Sequence, residues 1–155
     1  MNLLKKIYSF IFLSALFFSC EKDDTCLSPM TPKLILRFYD ASDPGTIKSV
    51  ANLSLIALPN NDTLINNEEK DSLSIPLNVN KNDCKFILAK GTNNDTISLS
   101  YVRKNIFVSK SCGYKTIFND FQASIQSDNQ NWMDYLKINT HKINIDTTAH
   151  VKIFH

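Results

Sequence analysis

Only three glycines occur in 155 residues, Gly45, Gly91 and Gly113, and each stands alone. A phosphate-cradling loop needs clustered glycines whose backbone N–H groups converge on an anion, so no Gly-rich nucleotide loop can form. The same scarcity excludes a Gly-x-Ser-x-Gly nucleophile elbow. Four cysteines and three histidines contain no Cys-x-x-Cys, His-x-His or His-Glu-x-x-His spacing. Redox dithiol and zinc motifs therefore lack their ligands. Charge of one sign is lacking too, with 17 Lys+Arg against 15 Asp+Glu. That balance gives no basic footprint for a phosphate backbone, and nucleic acid is not an expected partner. No apolar run reaches the about 20 residues a helix needs to cross a bilayer. Tryptophan occurs once, as Trp132.

The first feature that is present is an address. Met1–Lys6 is short and basic, Ile7–Phe18 is mostly apolar, and the small Ser19 precedes Cys20. A basic start, a short apolar core and a small residue make up a secretory signal, here residues 1–19. Ser19-Cys20 resembles the lipobox of bacterial lipoproteins, in which the cysteine is diacylated and the chain is cut just before it. Phe17 and Phe18 depart from the usual lipobox residues. The resemblance implies Cys20 as a lipidation site and acyl chains as the link to a membrane. Two or more acyl chains hold firmly where one is marginal. Glu21-Lys22-Asp23-Asp24 then resembles the surface-export signal of Bacteroidota lipoproteins, although such a charged run is a solvated tether in any case. The expected location is the outer membrane, on its periplasmic side or at the cell surface. Without residues 1–19, which hold Lys5 and Lys6, 15 basic side chains face 15 acidic ones.

Cys26, Cys84 and Cys112 remain after the anchor, in a compartment that permits disulfides. Cys26 precedes the first strand-like run and Cys112 begins another, so Cys26–Cys112 is the favoured pair. Three single pairings stay open on sequence grounds. Cys84, inside Cys84-Lys85-Phe86-Ile87-Leu88, fits a buried thiol acting as a small hydrophobe.

From residue 33 onward the chain alternates. Leu34, Leu36 and Phe38 interleave with Ile35, Arg37 and Tyr39; Leu53, Leu55 and Ala57 with Ser54, Ile56 and Leu58. Ile97, Leu99 and Tyr101, then Phe121, Ala123 and Ile125, then Val151 and Ile153, repeat the pattern. Period two is the signal of strands with one face buried. Between the runs lie Asp43-Pro44-Gly45, Pro59–Asp62, Asn80–Asp83, Gly91–Asp95 and Ser127–Asn131. Asn and Asp tolerate left-handed backbone and so replace the scarce glycines. No stretch of twelve residues has helical periodicity; Trp132–Lys137 reads as one turn of helix at most. Seven to ten strands at this spacing predict an all-β, two-sheet antiparallel β-sandwich, immunoglobulin-like or transthyretin-like, with a small barrel as the alternative. The expected organisation is a signal at 1–19, a lipidated tether at 20–32 and a sandwich domain at 33–155.

Several landmarks combine at this point: Cys26-Leu27, Thr31–Asp40, Ser72–Asn78, Ser111-Cys112-Gly113-Tyr114-Lys115 and Ala149–His155. Together they resemble a family of small Bacteroidota lipoproteins classed as a domain of unknown function. The resemblance implies secretion, supports pairing Cys26 with Cys112, leaves Cys84 outside the pattern, and hints at an outer-membrane protein as partner. It implies no activity.

Chemistry has few candidates. His150 and His155 are five residues apart and would point to opposite faces of one strand, which does not suit a shared metal. The acids of Asn67-Glu68-Glu69-Lys70-Asp71 read as a solvated loop, and no pattern marks a glycosidase carboxylate pair. No catalytic, cofactor or metal residue is assigned, and the chain reads as a non-enzymatic binding or structural module. Trp132 and Tyr135 beside amides form a candidate ligand face, since an exposed ring packs on sugar C–H groups; a tryptophan closing the core is the competing reading. Asp62-Thr63-Leu64, Asp71-Ser72-Leu73, Asp95-Thr96-Ile97 and Asp146-Thr147-Thr148 resemble O-glycosylation acceptors.

Overall fold

Alternation builds the strands. Leu34, Leu36 and Phe38 are fully buried while Ile35 and Arg37 between them are half-exposed. The computed structural model, which describes residues 25–26, 31–127, 130–146 and 148–155, has nine strands, and the pattern recurs in those with one face on the core. The nine are β1 (Leu34–Tyr39), β2 (Val50–Leu58), β3 (Asp62–Lys70), β4 (Ser72–Ile75), β5 (Asp83–Lys90), β6 (Asn93–Ser109), β7 (Gly113–Ile125), β8 (Tyr135–Ile138) and β9 (Val151–Phe154). The expected signal at 1–19 and the candidate lipidation site Cys20 lie outside the described residues.

The strands form two open sheets, β4-β1-β9-β8 and β3-β2-β5-β6-β7. The fold is all-β and a β-sandwich, not a closed barrel. The shared core joins Leu34, Leu36, Phe38, Leu73, Ile75, Val151 and Ile153 of the first sheet to Leu53, Leu55, Phe86, Leu88, Ile97, Leu99, Phe118 and Phe121 of the second. Pairing is antiparallel except between β1 and β9, which run parallel with Leu36 opposite Val151 and Phe38 opposite Ile153. Two strands far apart in sequence need no hairpin, so either direction is open to them.

Asn and Asp do take the backbone positions that glycine would fill. Asn61 (φ 61°) lies in the β2–β3 turn. Asn52 (φ 53°), Asn67 (φ 52°) and Asp120 (φ 51°) sit instead at register shifts inside the ladders. These are bulges, where one extra residue is absorbed by a residue in the left-handed backbone conformation. Gly91 (φ 63°) is the first of only two loop residues between Lys90 and Asn93, which suits the tight turn of a twisted hairpin.

Two expectations need correction. Trp132–Lys137 is not helical: Tyr135–Ile138 is β8, with Leu136 opposite Ile153 and Ile138 opposite Val151. Four residues are too few for periodicity to separate helix from strand. Asn67–Lys70 is not a loop but the end of β3, an edge strand paired to β2 and largely exposed. Lacking a buried face over that stretch, it carries no apolar alternation to read.

Candidate functional site

The β6–β7 hairpin outruns the sandwich. β5 pairs with β6 from Asn93 to Ser100, and beyond that point β6 continues to Ser109 against β7. The resulting arm is bonded crosswise by pairs such as Asn105–Thr116 and Phe107–Tyr114. At its end Cys112 N–H donates to Ser109 Oγ (3.0 Å), and Gly113 takes φ 68°. A Cβ at Gly113 would meet nothing within 4 Å, so this glycine supplies a dihedral angle and not a close approach.

Cys26 is disulfide-bonded to Cys112 at this tip, with Cα atoms 4.9 Å apart and a sequence separation of 86 residues. Thr116 N–H also donates to Thr31 Oγ1 (3.1 Å). The segment leading into β1 is therefore held twice along the arm. Cys84 is a free thiol, half-buried, with Sγ 3.7 Å from the Tyr101 hydroxyl. That hydroxyl donates to the Asn78 carbonyl (3.0 Å). Burial pushes the pKa values of both the Cys84 thiol and the Tyr101 phenol up, so the pair is neutral and unreactive near neutral pH.

Trp132 and Tyr135 are brought to different surroundings. The Trp132 ring packs at the end of the sandwich, 6.1 Å from Phe38 and 5.6 Å from His155 between centroids. Its Nε1–H donates to the Leu88 carbonyl (3.0 Å), and Lys90 Nζ lies 5.5 Å above the ring. It fastens the two sheets together. Tyr135 stacks on Phe154 at 4.3 Å and 11°, and Phe154 meets Tyr39 at 5.6 Å. Register places these three opposite one another across β8, β9 and β1, with Lys137, Lys152 and Arg37 forming the next row. Phe154 and Tyr39 are buried in this row while Tyr135 stays 44% exposed. The outer face of the four-stranded sheet thus presents one open aromatic ring beside three cationic side chains. Sequence reading found Tyr135 but not its neighbours, because row partners on three strands cannot be aligned without the register.

A family model described as a family of unknown function, DUF6452, matches residues 52–155. The chain belongs to the DUF6452 family. The match begins within β2 and takes in Cys112, while β1 and Cys26 precede it. Neither the curated proteins nor the solved structures give a match.

Within the DUF6452 region the polar groups most removed from water serve the fold. His150 is 1% exposed. Its Nδ1 accepts the Ile35 N–H (2.9 Å), so the ring proton sits on Nε2, which donates to the Ile145 carbonyl (2.8 Å). Burial holds its pKa below the usual imidazole value. Asp95 is the one carboxylate buried among the described residues, and its Oδ2 accepts the Met133 N–H (2.7 Å), positioning the chain next to Trp132. No group of three metal-ligating side chains comes together among the described residues. A trough of about 380 Å3 on the outer face of the five-stranded sheet is lined by Asp83, Lys85, three serines and Gln122.

The four acceptor-like triplets are scattered. Thr63 is exposed at the start of β3 and Ser72 begins β4. Thr96 lies inside β6 after the buried Asp95, and Thr147 falls outside the described residues.

Proposed function

We propose that this protein is a lipid-anchored, non-enzymatic module of a bacterial outer membrane, attached through acyl chains on Cys20 and holding its β-sandwich to an envelope protein partner. One observation carries the reading: the Cys26–Cys112 bridge clamps the chain to the domain only six residues after the candidate lipidation site. A bridge at that place leaves only six residues of chain between the anchor and a fixed point on the domain. Support also comes from the signal-like residues 1–19. The domain would face the periplasm or the cell surface. The test is isolation of the acylated protein from detergent-solubilised envelopes after mild cross-linking. A stoichiometric envelope protein should accompany it, and recovery of the domain alone under several detergents would overturn the partner reading.

A second reading is a surface glycan-binding module. The open face of Tyr135, backed by Phe154 and flanked by Lys137 and Lys152, favours it. Its test is a glycan array with wild type, Tyr135→Ala and Trp132→Ala. Loss of binding on Tyr135→Ala supports a platform on the sheet face, whereas a flat response from all three proteins removes this function.

A further inference from the structure

We infer that the tip of the β6–β7 arm is a membrane-contact surface, seated on the phospholipid headgroups of the bilayer that holds the anchor. The inference rests on the lipid-anchor reading above and goes beyond it by assigning the face of the domain that touches lipid.

Three observations converge on the arm. The first is reach. Cys20 and Cys26 are six residues apart, and an extended chain spans at most about 3.5 Å per residue. The bridge to Cys112 therefore cannot lie more than about 21 Å from the anchored cysteine, whatever path the tether takes. Cys112 is in the arm's terminal loop, so the tip is the part of the domain held nearest the bilayer.

The second is the surface presented there. Tyr114 is 72% exposed and Phe107 55%, facing each other across the ladder edge-to-face at 5.4 Å. Val102 is exposed further along the arm. Aromatic rings with one apolar and one wet side are the residues that settle at the headgroup level. Left in water, they would be an exposed aromatic pair beyond the end of the β5–β6 pairing.

The third is charge. From Val102 to Asn119 the sequence has Arg103, Lys104, Lys110 and Lys115 and no acid. Arg103 is used within the domain, where it bonds Asn82 Oδ1 and the Val79 carbonyl. That leaves Lys104, Lys110 and Lys115, and apart from them the chain from Cys20 onward has 12 basic side chains against 15 acidic ones, so positive charge gathers on the arm. By register Lys104 and Lys115 stand on the face of the arm opposite Phe107 and Tyr114, so an arm that meets the bilayer end-on brings rings and cations to an anionic interface together, where each basic group adds attraction that decays within a Debye length. The acids of the tether, Glu21, Asp23 and Asp24, lie between anchor and bridge and would favour keeping that segment at the surface instead of within the bilayer.

The experiment uses the full mature protein reconstituted in phosphatidylethanolamine–phosphatidylglycerol vesicles, with brominated acyl chains as quencher. Phe107→Trp and Tyr114→Trp each place a reporter at the tip, and Tyr135→Trp places one on the sheet face. Trp132, packed at the end of the sandwich, serves as internal reference in all three. Loss of the added emission at 107 and 114 but not at 135 is expected, weakening when Lys110 and Lys115 are both changed to Glu. Retention of the Cys26–Cys112 bridge by peptide mapping certifies each variant as folded at the tip. Intact mass of the mature protein reads the anchor separately. Acylation at Cys20 without quenching at the tip overturns this inference and leaves the anchor standing. An unacylated chain overturns both. Equal quenching at all three positions would mean that the domain lies on the bilayer without a preferred face, and would overturn it as well.

Discussion

Replacing Cys26 and Cys112 together by serine removes the bridge and creates no new free thiol. The link joins positions 86 residues apart. In the chain-entropy model, a cross-link over that length removes about 4.6 kcal/mol of conformational freedom from the unfolded chain at 25 °C. The folded state offsets part of this. The bridge lies at a hairpin tip outside the core, so its loss frees the tip and the segment before β1 without opening a cavity. A net loss of about 2–4 kcal/mol follows. For a domain of this size about 4 °C of midpoint accompanies each kcal/mol, so the midpoint should fall by about 8–16 °C. Thermal unfolding followed by near-ultraviolet circular dichroism measures it, with urea unfolding as a second route. The native near-ultraviolet signal should persist at 25 °C, because the twenty-residue buried cluster joining both sheets does not include either cysteine. A midpoint unchanged within about 2 °C would refute the entropic reasoning. A variant with no native signal at 25 °C would refute the independence of the core from the bridge.

His150→Phe should cost about 2–4 kcal/mol in urea unfolding, because the Ile35 N–H loses its buried acceptor. The wild type should also lose stability as pH falls below about 6.5, the usual imidazole value, since the folded ring resists the proton that the unfolded ring accepts. His155 is shifted the same way by burial, so His150→Phe should flatten the profile only in part; an unchanged profile would exclude His150 as a source. Trp132→Ala should destabilise by about 2–4 kcal/mol through lost packing and the lost bond to Leu88, and a neutral substitution would mean the ring does not join the sheets. Cys84 should react with iodoacetamide at pH 8 far more slowly than in urea-unfolded protein, which mass spectrometry over time would read; equal rates would show that burial does not protect the thiol.

Legibility in the sequence followed burial. Where one strand face meets the core and the other meets water, as from Leu34 to Phe38 and from Ile97 to Tyr101, alternation announced the strand. Where neither face is buried, as from Asn67 to Lys70, hydrogen bonding to β2 alone makes the strand and leaves no apolar trace. β8 was missed because four residues do not complete one period of either template. The scarcity of glycine was legible as a demand on Asn and Asp, but the bulges at Asn52, Asn67 and Asp120 were not, because they depend on the partner strand's register. The same limit hid the row of Tyr39, Phe154 and Tyr135. The Cys26–Cys112 pairing could be favoured from sequence because both cysteines flank strand-like runs.

The parallel pairing of β1 with β9 has a bearing on when the molecule can form at all. β9 occupies an interior position of its sheet, between β1 and β8, and His155 closes the junction by exchanging backbone hydrogen bonds with Tyr39 and Ala41. A chain emerging from a ribosome or passing through a narrow channel has β1 in hand early and can pair it with β4 on one side, but the strand on its other side, β9, comes much later in the sequence. The five-stranded sheet can begin as successive hairpins, while the four-stranded one waits for residues 151–155. Until they arrive one hydrogen-bonding edge of β1 has no partner, and Val151 and Ile153 are missing from the shared core.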